Sequence, residues 1–296
     1  MTLSITVFTE FASAKVNLTL EVLGRRIDGP LSGYHDIASL VAFARDAADE
    51  VILDTSKPVA SSVSGPFGAT ISGRNLIDVT LAKLAHAAPD LQLGAIHLIK
   101  NLPVAAGIGG GSADAAAVLR AVRRANPDHA NSVDWLALAR SLGADVPVCF
   151  ENSAAWMTGI GDEVQPLQNV PRLTAVLVNP LQPMPADKTA QVFRTLNAPA
   201  LRVQSMPPPP PGPFTSAPVL MNYMAHHGNA LDAAACSVAP VIAEVKRALL
   251  RTDGIQYAAV SGGGPTCFGI FADNVAVAAS LARQHPTWWV RPVTLG

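Results

Sequence analysis

The segment from Pro103 to Ala117, P-V-A-A-G-I-G-G-G-S-A-D-A-A-A, concentrates more chemistry than any other part of the chain. It passes through Gly107, Gly109, Gly110 and Gly111 to Ser112, where an alanine-rich helical pattern starts. Glycines let several backbone N–H groups converge without side-chain obstruction, and a helix N-terminus adds partial positive charge. Such a loop suits an anion, in particular the phosphates of a nucleotide. Ser112 is able to bond a phosphate oxygen or ligate magnesium, and Asp114 in the first turn to reach a metal ion. A P-loop would need a lysine after the last glycine, and none follows. A dinucleotide fingerprint would need glycine where Ser112 stands, and Asp128, at the spacing of a ribose-binding acid, sits in an Asn-Pro-Asp turn. A plain helix start, with Ser112 as N-cap and Asp114 answering the dipole, stays open.

Two further groups of residues invite a chemical reading. Ala14, Val16, Leu18, Leu20 and Val22 are apolar while Lys15, Asn17, Thr19 and Glu21 are polar. That period of two predicts a half-buried strand with Lys15 and Asn17 on one face. Near the other end, Val260 to Cys267 (V-S-G-G-G-P-T-C) carries three consecutive glycines, more than a hairpin needs.

The elements that must position these residues are a mixture of helices and strands. A short strand is expected at Val51 to Asp54, a helix at Asn75 to Ala87, a strand at Ala95 to Ile99 and a helix at Ser112 to Ala125. A further helix, capped by Asn131 or Ser132, runs to about Leu142. Strand patterns recur at Ser153 to Thr158, Leu173 to Val178, Tyr257 to Val260 and Cys267 to Phe271. Met206 to Phe214 holds six prolines and reads as an exposed extended loop. Arg120, Arg123 and Arg124 share a helix face and read as solvated.

Composition removes several functional classes. The 296 residues are 49% hydrophobic and 15% charged, against roughly 25% charged in an average domain. Lys plus Arg (21) balances Asp plus Glu (22), so no basic field favours nucleic acid or an acidic membrane. Mean hydropathy is +0.29, yet no apolar run reaches the roughly 18–20 residues of a spanning helix. No secretory signal is visible at the N-terminus, and Cys149, Cys236 and Cys267 lack metal spacing. A cytoplasmic location is expected, with no nucleic-acid or membrane partner.

The pattern P-x-x-x-G-x-G-G-G-S-x-x-A resembles the phosphate-binding motif of the GHMP kinases. Ala12 to Leu18 (A-S-A-K-V-N-L) is similar to their N-terminal substrate motif, and Val260 to Cys267 to their C-terminal glycine motif, in the same order. The resemblance implies an α+β, two-domain GHMP kinase fold with an active-site cleft between the domains, here residues 1–160 and 161–296. It also implies ATP and Mg2+ as cofactors. Gly33-Tyr34-His35-Asp36 and Leu142 to Val148 (L-G-A-D-V-P-V) are similar to strings in members that phosphorylate a cytidine diphosphate-linked polyol. In those members D-G-Y-H is contiguous, whereas here Pro30 to Gly33 separate Asp28-Gly29 from Tyr34. Homoserine- or mevalonate-type kinases and a catalytically silent nucleotide-binding regulator are the alternatives.

The roles implied are these. Asp145 accepts or orients the acceptor hydroxyl's proton, and Lys15 beside it stabilises developing negative charge. Asn75 and Lys100 stand near the adenine, while Pro103, Gly107, Gly109, Gly110, Gly111 and Ser112 surround the phosphates, with Ser112 toward the metal. Tyr34 stacks on the cytosine and His35 bonds its edge. Phe193 offers a second stacking face, Thr189 a polar contact, Asn17 a hydroxyl or phosphate contact and Gly263 a close backbone approach. The protein is expected to be a monomer or homodimer. Read without the resemblance, Asp145 caps a turn, Lys15 is a solvated strand residue, Asn75 is a helix cap and Lys100 is a strand-end charge.

Overall fold

The computed structural model describes residues 6–71, 75–185, 187–201 and 207–296. Strands β1 (Val7–Asn17), β2 (Glu21–Arg26), β3 (His35–Asp54) and β4 (Ala60–Ser64) precede helix α1 (Leu76–Ala87) and strand β5 (Ala95–Ile99). Helices α2 (Gly110–Ala125), α3 (Trp135–Leu142) and α4 (Val146–Glu151) lead to β6 (Ala155–Thr158), β7 (Glu163–Pro166) and β8 (Leu173–Asn179). Then come α5 (Lys188–Leu196), β9 (Ala200–Leu201), α6 (Ala217–His227), α7 (Asp232–Val238) and α8 (Val241–Leu250). The chain finishes with β10 (Tyr257–Val260), β11 (Cys267–Ile270), α9 (Asn274–Gln284) and β12 (Trp289–Leu295). This is the expected mixture of helix and sheet. No described helix is long and apolar enough to cross a membrane.

The chain forms two compact units built from interleaved segments. The first takes Met1–Ala14, Ala47–Val104 and Gly109–Asn152; the second takes Lys15–Asp46, Ala105–Ile108 and Ser153–Gly296. In the first unit, β5 pairs antiparallel with the end of β3, from Glu50↔Ile99 to Asp54↔Ala95, and parallel with β4. Helix α2 packs against α1, α3 and α4. Its buried residues include Ala113, Ala115, Ala116, Ala117 and Ala121, so neighbouring backbones approach closely without losing side-chain entropy. Asn75 starts α1, its side chain accepting from the Ile77 N–H at 3.1 Å.

In the second unit, β10, β11, β8 and β12 form an antiparallel run. β12 meets β3 at Leu295↔Ala44, β3 continues to β2 antiparallel, and β6 and β7 add a hairpin on β3. Val176 and Val178 of β8 pack with Ile242, Val245 and Leu249 of α8, Val260 of β10 and Leu281 of α9. Burying each large aliphatic side chain contributes about 1.5–3 kcal/mol before entropy is counted.

Several local expectations give way. The short strand at Val51 to Asp54 is the end of a 20-residue strand. Residues 36–44 of that strand are buried without interruption, so both faces are covered there and alternation marks only residues 47–54. β1 ends at Asn17, and residues 12–17 are likewise buried on both faces rather than on one. The third helix is capped by Asp134, which accepts from the Ala137 N–H at 2.9 Å, not by Asn131 or Ser132. Met206 lies outside the described residues; residues 207–214 form neither helix nor strand, as expected of the proline segment, but Pro208 is half-buried and accepts from Trp156 Nε1 at 3.1 Å. Arg120 is not solvated: it donates to Glu10 Oε2 at 3.0 Å and to the carbonyls of Cys149 and Phe11.

Candidate active site

Within the second unit, three chain segments far apart in sequence lock onto one serine. Ser261 Oγ donates to the Gly107 carbonyl at 3.0 Å and accepts from the Asn17 N–H at 3.2 Å. The Lys15 N–H donates to Ile108 O at 2.9 Å, and the Thr266 N–H to Ala106 O at 3.1 Å. The strand with Lys15 and Asn17, the first part of the glycine loop and the C-terminal glycine turn are thus one assembly. Gly107 shows why glycine is needed: its φ is +75°, and a Cβ there would collide with the Gly264 carbonyl. Ala105 adopts φ 54°, a left-handed conformation that costs a non-glycine residue about 1–2 kcal/mol. The close backbone packing of the loop holds it there.

Lys15 and Asn17 do share a face, as the alternation predicts. Lys15 Nζ donates to Asn17 Oδ1 at 3.0 Å, and Asn17 Nδ2 to Ser39 Oγ at 2.8 Å. Ser39 Oγ in turn donates to Thr19 O at 2.6 Å, so the amide and the ammonium are held in fixed orientation. Lys15 is 4% exposed, which rules out a solvated strand face. Asn229 supports the glycine turn from the other side, donating to the carbonyls of Val260 and Gly262.

His35 at the start of β3 stacks on Phe193 of α5, with centroids 4.7 Å apart and planes inclined by 26°. Burial, then the nearby Arg25 charge, lowers the His35 pKa, favouring a neutral ring. Tyr34 is 54% exposed, at the end of the turn where the Arg26 N–H bonds the Tyr34 carbonyl. Thr189, one turn before Phe193 on α5, is exposed as well. Gly263 accepts through its carbonyl from Lys188 Nζ, a residue the sequence reading passed over.

The first unit holds the rest of the loop. Gly109 is the N-cap of α2, and Gly110, Gly111 and Ser112 form its opening turn. Pro103 is buried and Ser112 half-buried. Beneath this turn lies a buried triad. Lys100 Nζ bonds Asp49 Oδ2 and Asp114 Oδ2, both at 2.6 Å, and is 3.3 Å from where a Cβ on Gly110 would stand. Asp49 Oδ1 also accepts from the Asn101 and Leu102 N–H groups at 2.6 and 2.7 Å. Burial, reinforced by the Asp49 charge and opposed by Lys100, pushes Asp114 up to about 8. Lys100 is therefore no strand-end charge, and Asp114 is committed to it through one oxygen. Asp49 was not singled out from sequence, because a buried ion triad leaves no local pattern.

Asp145 precedes α4 and is half-buried. Its carbonyl accepts from the Cys149 N–H at 3.2 Å, but its side chain makes no capping bond to the helix. Helix capping therefore does not account for the carboxylate. Among the described residues no group of three or more His, Cys, Asp or Glu side chains forms a metal cluster.

Known proteins resemble the chain over nearly its whole length. Residues 75–152 match the GHMP kinases N terminal domain. The chain is 44% identical to a 4-diphosphocytidyl-2-C-methyl-D-erythritol kinase of Methylobacterium radiotolerans, covering 98% of this chain and 99% of that one. A protein of the same description from Rhodopseudomonas palustris is 42% identical, with 96% of each chain covered. A crystal structure of 4-(cytidine 5'-diphospho)-2C-methyl-D-erythritol kinase superposes with a TM-score of 0.71 at 31% identity, covering 98% of this chain and 99% of that one. Homoserine kinase from Cytophaga hutchinsonii shares the fold, with a TM-score of 0.66 at 14% identity over 100% of this chain and 96% of its own. With full-length identity well above what fold alone would give, the chain belongs to the 4-diphosphocytidyl-2-C-methyl-D-erythritol kinases of the GHMP kinase family.

Proposed function

We infer that this protein transfers the γ-phosphoryl group of ATP to the 2-hydroxyl of 4-diphosphocytidyl-2-C-methyl-D-erythritol, a step of isoprenoid precursor synthesis. The observation that carries the geometric side of this reading is the lock of three motifs onto Ser261, which holds Lys15 and Asn17 against two glycine turns. Phosphoryl transfer needs alignment and charge neutralisation more than covalent help from the protein. The glycine loop and the opening turn of α2 supply backbone donors and the helix dipole for ATP phosphates. Asp145 takes the proton of the acceptor hydroxyl as its oxygen bonds the γ-phosphorus and the bond to the β–γ bridging oxygen breaks. Lys15 neutralises charge developing on the transferred group.

The remaining assignments belong to the same proposal. Tyr34, His35 and Phe193 receive the cytosine; Asn17, Thr189 and Gly263 serve the polyol and phosphates. Asn75 faces the adenine side, and Lys100 supports the nucleotide loop from beneath. The Ser112 hydroxyl would hold the magnesium of MgATP, which would supply charge neutralisation at the phosphates.

An ADP-release assay with the cytidine substrate, homoserine and mevalonate tests the reaction. Release with the cytidine substrate alone is expected; no release with any acceptor would overturn the kinase reading. Asp145→Asn should lower kcat by about 10²–10⁴ while leaving the denaturation midpoint in place. Near-normal turnover in that variant would remove Asp145 from the mechanism.

A further inference from the structure

Lys188, the first residue of α5, is 4% exposed, and its ammonium is turned into the C-terminal glycine turn. Nζ donates to the Gly263 carbonyl at 2.9 Å and to the Gly264 carbonyl. Among the described residues no carboxylate lies within ion-pair distance of it. The charged groups around it are already matched elsewhere. Asp187 pairs with Arg194 at the exposed surface of α5, and on the neighbouring α7 Asp232 pairs with Lys246. His35, which stacks on Phe193 of α5, is favoured as neutral. The turn itself brings only glycines, Ser261, Pro265 and Thr266.

A buried ammonium bonded to carbonyls alone keeps an uncompensated charge, which a chain selected for stability alone would avoid. Burial accordingly lowers its pKa to about 8. Its position suggests what completes it. One turn along α5 from Thr189 stands Phe193, stacked on His35. On the other side of Gly263, Gly262 lies against Asn17, with Asn17 Oδ1 3.3 Å from where a Cβ on Gly262 would stand. Asn17 is bonded to Lys15. Within the second unit Phe193 of the aromatic pair and the buried cation share α5, and the cation, Gly263, Gly262, Asn17 and Lys15 are linked contact by contact. A cytidine diphosphate-linked polyol carries its base, its diphosphate and its reacting hydroxyls in that same order.

We propose that Lys188 is the cation that receives the acceptor's diphosphate, held in place by the Gly263 and Gly264 carbonyls. The assignment rests on the acceptor reading given above. It makes the lysine a specificity residue: it selects acceptors carrying a diphosphate between nucleoside and polyol, and takes no part in the phosphoryl step.

Steady-state kinetics of Lys188→Met and Lys188→Arg, with both substrates varied, test it. For Lys188→Met the KM of the cytidine acceptor should rise about tenfold, while the KM of ATP stays within about twofold. Lys188→Arg should recover most of the loss. Inhibition by cytidine diphosphate should weaken about tenfold in Lys188→Met, and inhibition by cytidine should not move. An unchanged acceptor KM, or acceptor and ATP values rising together, overturns the proposal. If Lys188→Met does not fold, the wild-type enzyme decides: cytidine diphosphate should outbind cytidine at pH 7 and lose that advantage above about pH 9. An advantage that is constant with pH overturns it too. Wild-type enzyme that fails to release ADP with the cytidine acceptor would instead sink the reaction assignment, so the two failures are separable.

Discussion

Lys100 in the first unit and Lys188 in the second are both almost wholly buried, at 2% and 4% exposure, yet their surroundings are opposite. Lys100 lies between two carboxylates at 2.6 Å; among the described residues, Lys188 bonds backbone carbonyls and no carboxylate. Burial alone would lower both pKa values. For Lys100 the charges of Asp114 and Asp49 outweigh burial and raise it, whereas Lys188 falls to about 8. Partner chemistry, not depth, separates a strut from a charge held in reserve. The first braces the turn that opens α2, and the second awaits an anion.

The largest effect expected from this contrast is on stability. Lys100→Met leaves Asp49 and Asp114 buried without their cation and should cost about 3–5 kcal/mol, read as a lower urea midpoint. Lys188→Met strands no opposite charge and should cost under about 1 kcal/mol, or stabilise. Equal losses in the two variants would erase the distinction.

A smaller effect is the pH dependence of stability. Lys188 has a folded pKa near 8 against 10.5 when unfolded, so the unfolded chain holds more protons between those values. Wild-type stability should therefore rise across that window by up to about 1.4 kcal/mol per pH unit relative to Lys188→Met. Lys100, raised above 10.5, keeps its full contribution throughout the window and adds no slope. Denaturation of both proteins at pH 7.5 and 10 reads the difference; parallel curves would count against a desolvated Lys188.

The smallest effect concerns the triad's second acid. Burial pushes the Asp114 carboxyl up against the pull of Lys100, so it takes up a proton more readily than a free carboxylate. Asp114→Asn should then cost no more than about 1 kcal/mol at pH 7, the scale of one hydrogen bond. A loss as large as that of Lys100→Met would show that Asp114 works as a full anion.

The two lysines also mark how far the sequence could be read. Gly107 to Ser112, Lys15 and Asn17, and the glycines at 262–264 were legible because their chemistry is local: glycine for close approach, alternation for a shared face. The helices at Leu76–Ala87 and Gly110–Ala125 were legible from periodicity and composition. The first half of the 20-residue β3 was not, since burial of residues 36–44 on both faces removes the period-two signal there. Asp49, Lys100 and Asp114 form a triad only because β3 and the segment after β5 are brought to the start of α2. Arg120 looked like one of three surface arginines until Glu10 and two carbonyls were placed around it.

By itself, then, the sequence determined where glycines permit close backbone approach, which polar residues share a face and that helices and strands would carry them, because backbone conformation and periodicity are written within a few residues. Tertiary structure decided which charges are paired, which are buried and which are left over. Those properties depend on distances between segments far apart in sequence, 244 positions for Asn17 and Ser261, and no local pattern encodes them.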